Sequence, residues 1–207
     1  LVDGVDYLIG GTTQKILPGK FKVQAAGQGN YTDIAYAGWA INANDGDASI
    51  STINNGIKEY DGTDISGMFT VNTGSVPKAN VTIEYYDANN NKLTEAPKDA
   101  GDYKVKAIIS AVGYNDQNVE ADITVEPVNV TVEGTLSADT IIYSDKEPEV
   151  TDVTFTGILE DEKEDFEANT TVEWTLDDEN DQFIGEVKTT DEYANNYSFV
   201  VTPAGFQ

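Results

Sequence analysis

The 207-residue chain carries 37 acidic residues against 12 basic ones, a formal charge of −25, and contains no histidine, cysteine or arginine. Such a surface repels phosphate and anionic lipid, which argues against nucleic-acid binding and against attachment to a membrane face. Without imidazole, thiolate or guanidinium the chain also lacks the commonest general base, the commonest metal ligands and the usual anion clamp. Hydrophobic residues make up 39% of the chain and aromatics 10%, enough for small packed cores.

The first 43 residues hold alternating apolar positions around Phe21, Val23, Trp39 and Ile41, which predicts strands with one apolar face. Further on, Val81 to Tyr86 is β-branched and aromatic, and a turn cluster, Asp87 to Asn91, follows it. Tyr103 to Ile108 and Ala121 to Val125 alternate as half-buried strands do, with Pro127 as a stop. Later, Val153 to Phe155, Thr171 to Leu176 and Tyr197 to Val201 read the same way. The one helical window, Leu159 to Ala168, has too few apolar residues for a stripe, so a charged loop or a single turn is expected there.

These elements repeat. Tyr31, Tyr114 and Tyr197 are spaced by 83 residues, and so are Tyr60 and Tyr143. The related strand starts Gly19-Lys20-Phe21-Lys22-Val23, Gly101-Asp102-Tyr103-Lys104-Val105 and Gly185-Glu186-Val187 precede the three tyrosines by 12, 13 and 12 residues. Three kinds of anchor in one register indicate modules of about that length. Boundaries then fall near Asn44 and Val128: residues 1–43 are the second half of a module, 44–127 a complete one and 128–207 a second, diverged one. The expected architecture is all-β, in tandem immunoglobulin-like sandwiches, with β-grasp-like repeats as the alternative. A half module of 43 residues leaves an apolar face to be covered, so self-association through residues 1–43 is expected, with Trp39 buried.

The most informative motif is Asp99-Ala100-Gly101-Asp102-Tyr103-Lys104-Val105. It follows the pattern of a tyrosine corner, in which the hydroxyl bonds back to the main chain upstream and the residue two further on packs the core. With Tyr60-Asp61-Gly62-Thr63 and the closing Ile123-Thr124-Val125-Glu126-Pro127, it resembles the YDG and MBG-type repeats of large bacterial surface proteins. The structural motif residues are therefore Tyr60, Asp61, Gly62, Thr63, Asp99, Gly101, Tyr103 and Val105. The third module departs from the pattern, since Tyr143-Ser144-Asp145-Lys146 lacks the Asp-Gly-Thr. The resemblance implies an extracellular, surface-exposed stalk or adhesin segment. It implies no catalytic residue. No cofactor or metal is expected; exposed aromatics or a sheet edge would instead suit binding of a host glycan or protein, or an accessory domain of a polysaccharide-active enzyme.

Other residues invite function but have ordinary readings. The acidic runs Glu160 to Asp165 and Asp177 to Asp181 lack the glycine and distal glutamate of a calcium loop and read as solvated charge. Trp39, Tyr86 and Trp174 are suited to stack on sugar rings if exposed, but aromatic residues in sandwiches are usually core. Lys58, Lys104 and Lys106 are loose candidates for an isopeptide crosslink and read more simply as free surface lysines.

Overall fold

The computed structural model describes residues 1–137, 149–177, 179 and 182–205. The strands in chain order are β1 (Tyr7–Gly11), β2 (Gly19–Gly27), β3 (Ile34–Ile41), β4 (Ser49–Thr52), β5 (Ile57–Glu59), β6 (Phe69–Asn72), β7 (Asn80–Asp87) and β8 (Lys92–Leu93). They continue with β9 (Gly101–Ser110), β10 (Gln117–Glu126), β11 (Val128–Leu136), β12 (Val150–Thr156), β13 (Thr171–Asp177), β14 (Gln182–Lys188), β15 (Tyr197–Thr202) and β16 (Ala204–Gly205). Two short helices, α1 (Lys163–Asn169) and α2 (Asp191–Asn196), precede β13 and β15. The protein is all-β in its main elements, and among the described residues no helix is long and apolar enough to cross a membrane.

The sheets are β1-β2-β3, β5-β10-β9-β7-β8, β12-β11-β15, β13-β14-β16 and the pair β4-β6. The β1-β2-β3 sheet is antiparallel throughout, but β5 runs parallel to β10 and β11 parallel to β15. A parallel pair needs a long crossover, and each of these pairs joins strands far apart in the chain.

The chain forms two compact units, one of residues 1–51, 71–83 and 106–120, the other of 52–70, 84–105 and 121–207. In the first unit Val76, Ala107 and Ile109 are buried together, with Ala48, Val71 and Ile83 packed against them. Inward residues every second position of β9 supply that cluster, as strand alternation requires. Gln117 fixes one edge, its side-chain oxygen accepting the Ala48 amide at 2.8 Å. No residue of 1–43 is fully buried. Trp39, expected in a core, is only half-buried: it packs on Phe21 with ring centroids 4.7 Å apart and donates its indole N–H to the Thr12 carbonyl at 2.9 Å.

In the second unit the core comprises Tyr60, Ile65, Val105, Ile123, Val125, Val130, Val132, Phe166 and Tyr197, all essentially inaccessible. The expected loop at Leu159 to Ala168 contains α1 instead. A sequence stripe was lacking because one residue, Phe166, does the anchoring. It is fully buried among Phe155, Tyr193, Tyr197 and Phe199, with ring centroids at 5.1, 5.2, 5.9 and 5.9 Å. Glu164 and Asp165 in the first turn suit the positive end of the helix dipole. Trp174 lies flat over two glycines: a Cβ on Gly134 or Gly185 would come within 2.7 or 2.9 Å of the indole.

The two compact units do not follow the expected boundaries at Asn44 and Val128: residues 44–127 are divided between them. Asn44 faces Tyr114 across a parallel bridge, and Val128 faces Tyr197 in the parallel β11–β15 register. In between, β7 begins at Asn80 and α1 at Lys163, 83 residues later, so strand is replaced by helix. Tyr143, the expected counterpart of Tyr60, lies outside the described residues.

Candidate functional site: a tyrosine–carboxylate joint

The Tyr60-Asp61-Gly62-Thr63 turn folds around a lysine. Lys58, on β5, extends a side chain that is 10% exposed and donates to Asp61 Oδ1 at 2.6 Å, the Thr63 carbonyl at 2.9 Å and Thr63 Oγ1 at 2.9 Å. Asp61 Oδ1 also accepts from the Thr63 amide at 2.9 Å and hydroxyl at 2.6 Å. Burial pushes the Asp61 carboxyl up, but the hydrogen bonds from Lys58 and Thr63 outweigh it and hold the group down at about 2. Lys58, read as a free surface lysine, is ion-paired within its own turn. Gly62 takes φ +74°, the left-handed conformation the turn needs.

The turn presents Tyr60. Its amide donates to the Glu126 carbonyl at 2.8 Å, and the side chain is 1% exposed. The hydroxyl donates to Glu162 Oε1 at 2.5 Å, while Tyr197 donates to Glu162 Oε2 at 2.7 Å. The two rings meet edge to face, centroids 5.7 Å apart. One carboxylate is therefore held by two phenols that lie 137 residues apart in sequence. Charge-assisted O–H···O bonds of this length are the strong kind. Burial first, and the Glu162 carboxylate second, raise both phenols well above the ordinary tyrosine range. A third phenol, Tyr193, donates to Asp165 Oδ2 at 2.7 Å; that bond, then burial, pushes it up to about 12.

The tyrosine corner meets the same surface. Tyr103 is half-buried and donates from Oη to the Asp99 carbonyl at 2.9 Å; Val105 is fully buried. Gly101 is tight against this ring, since a Cβ there would lie 3.3 Å from the Tyr103 hydroxyl. Beside the corner, the Ala100 amide donates to Asn196 Oδ1 at 2.7 Å, and Asn196 Nδ2 donates to Asp99 Oδ1 at 3.2 Å. Asn196 is completely buried, so these bonds satisfy groups that water cannot reach.

The structural motif residues named from sequence thus fall into two neighbouring roles. Tyr60 to Thr63 form the turn that holds Tyr60 against Glu162, and Asp99 to Val105 form the corner that receives Asn196. All of these contacts lie within the second unit. Glu162 and Asn196 were not singled out from sequence, because their partners are 102 and 96 residues away. Of the acidic run that suggested calcium, Glu162 and Asp165 are engaged by tyrosines. Among the described residues no group of three or more metal-ligating side chains is gathered. Asp178 and Asp181 of the second run lie outside the described residues. The aromatics weighed for sugar stacking, Trp39, Tyr86 and Trp174, are each half-buried, and Tyr86 donates to Glu84 at 2.8 Å. What the site can do is mechanical: within the second unit it ties Tyr60 to Glu162 and Tyr197, and the Asp99–Ala100 segment to Asn196. No protein family model, curated protein or solved structure matches this chain.

Proposed function

We propose that the chain is a non-catalytic spacer region of a bacterial cell-surface protein, built of repeats locked together at their joints. The observation that carries the reading is the double hydrogen bond of Tyr60 and Tyr197 to Glu162. A spacer has to transmit position from one module to the next, and a carboxylate clamped by two buried tyrosines, with Asn196 tied to Asp99 and Ala100 beside it, restricts the freedom that an ordinary linker would leave. The resemblance of Tyr60-Asp61-Gly62-Thr63 and Asp99 to Val105 to YDG and MBG-type repeats supports the extracellular location. The composition supports a non-enzymatic role.

Within this reading, residues 44–127 form an immunoglobulin-like sandwich. The order β5-β10-β9-β7-β8, with β5 parallel to the last strand and a tyrosine corner at the start of β9, supports it. Residues 128–207 are closer to a β-grasp: a β11–β12 hairpin, α1, a β13–β14 hairpin and a late strand, β15, parallel to β11. The joint therefore couples two related but unlike modules.

Antibody raised against the chain tests the location. It should label intact, unpermeabilised cells of the source bacterium, and external protease should remove the label. Labelling that requires permeabilisation would overturn the proposal.

A further inference from the structure

We propose that β3 is a self-association edge, pairing antiparallel with β3 of a second copy of this chain. The strand Ile34-Ala35-Tyr36-Ala37-Gly38-Trp39-Ala40-Ile41 lies at the border of the β1-β2-β3 sheet and, among the described residues, pairs on one side only, with β2. Its register runs unbroken from Ala26↔Ile34 to Gly19↔Ile41. Edge strands are ordinarily blunted by a lysine, a proline, a bulge or a covering loop. Over its eight residues β3 has no charge, no proline and no bulge, and Ile34 and Tyr36 are 52% and 68% exposed.

Charge selects the occupant. Residues 1–43 hold three acids, Asp3, Asp6 and Asp33, and three lysines, Lys15, Lys20 and Lys22, so they are formally neutral. The whole formal charge of −25 is carried by 44–207. Two copies of so anionic a chain repel one another over the rest of their surface and not here. A cationic partner would find no acid on β3 to bind. A second copy brings an equally uncharged edge.

The side chains fit a two-fold arrangement. Antiparallel pairing about Gly38 sets Trp39 opposite Ala37 of the other copy, Ile41 opposite Ala35 and Tyr36 opposite Ala40, a large residue against a small one each time. The two-fold axis stands perpendicular to the sheet, so like faces stay together. Ile9, Phe21, Val23, Trp39 and Ile41 share one face through the pairings of β1, β2 and β3. A six-stranded sheet would double that apolar strip and give the Phe21–Trp39 pair a neighbour across the axis.

The test uses the full chain, which has no native cysteine. Sedimentation velocity should show a reversible dimer that tightens as salt screens the charge. Ala37→Lys, a charge on the edge, should shift it to monomer with the far-ultraviolet circular dichroism unchanged. Gly38→Cys should form a covalent dimer under mild oxidation at least about tenfold faster than the exposed control Thr154→Cys, because pairing raises the local thiol concentration. A chain that stays monomeric at all concentrations, or a dimer indifferent to Ala37→Lys, overturns the proposal. So does Gly38→Cys crosslinking no faster than the control, a result that stands even if Ala37→Lys disturbs the sheet.

Discussion

Tyr60 and Tyr197 stand edge to face, 5.7 Å apart, and donate to opposite oxygens of the same carboxylate, Glu162. Both tyrosines are buried and Glu162 is half-buried, so the bonds are partly shielded from water. Tyr60→Phe and Tyr197→Phe should each cost about 1.5–3 kcal/mol, the range for a hydrogen bond to a charged group. The double variant should cost less or more than the sum, because the two act through one carboxylate. Urea denaturation of the four proteins measures this, and strict additivity would show that Glu162 does not couple them.

The same phenols set the alkaline limit. A tyrosine whose folded-state value lies above about 10 contributes stability that is intact below that pH and is lost as pH rises through the raised value. Tyr193 is pushed up to about 12, and Tyr60 and Tyr197 are raised as well. Stability should therefore be flat through neutrality and fall from about pH 10 upward, with Tyr193→Phe shallowing the fall. On the acid side Asp61, held at about 2, works in the opposite sense: its contribution is present above about pH 4 and fades toward 2. Thermal melts across pH check both, and a stability maximum above pH 10 would contradict the assignment.

At the corner, Tyr103→Phe removes one hydrogen bond to the Asp99 carbonyl and leaves the ring in place. The expected loss is about 1 kcal/mol. Val105→Ala, which opens space in a fully buried site, should cost about 2–4 kcal/mol. If the two variants rank the other way in chemical denaturation, the hydroxyl matters more than the packing.

Residues 128–207 contain 20 acids and 3 lysines, a formal charge of −17. Self-repulsion on that scale lowers stability and is screened by salt. The melting temperature should rise with sodium chloride, and calcium at matched ionic strength should add little. A large extra gain with calcium would reinstate the acidic runs as a metal site.

What the sequence revealed was local. Asp99 to Val105 is a contiguous motif whose hydrogen bond closes over four residues, so Tyr103 and Val105 were legible. Strand alternation marked β9 and β10, and the two tyrosines singled out by their spacing, Tyr114 and Tyr197, pair with Asn44 and Val128. What escaped was long-range or singular. Helix α1 depends on one buried ring, Phe166, rather than on a periodic stripe. Glu162 sits in a run of acids that looks solvated, and only the two tyrosines brought to it by the fold distinguish it from its neighbours.

If the Glu162 clamp holds as proposed, it leaves no hinge between residues 84–105 and residues 149–177. Residual dipolar couplings measure this directly. Amides of residues 84–105 and of 149–177, both within the second unit, should fit a single alignment tensor in the native protein. They should diverge into two in the Tyr60→Phe, Tyr197→Phe double variant. Two different tensors in the native protein would contradict a fixed joint.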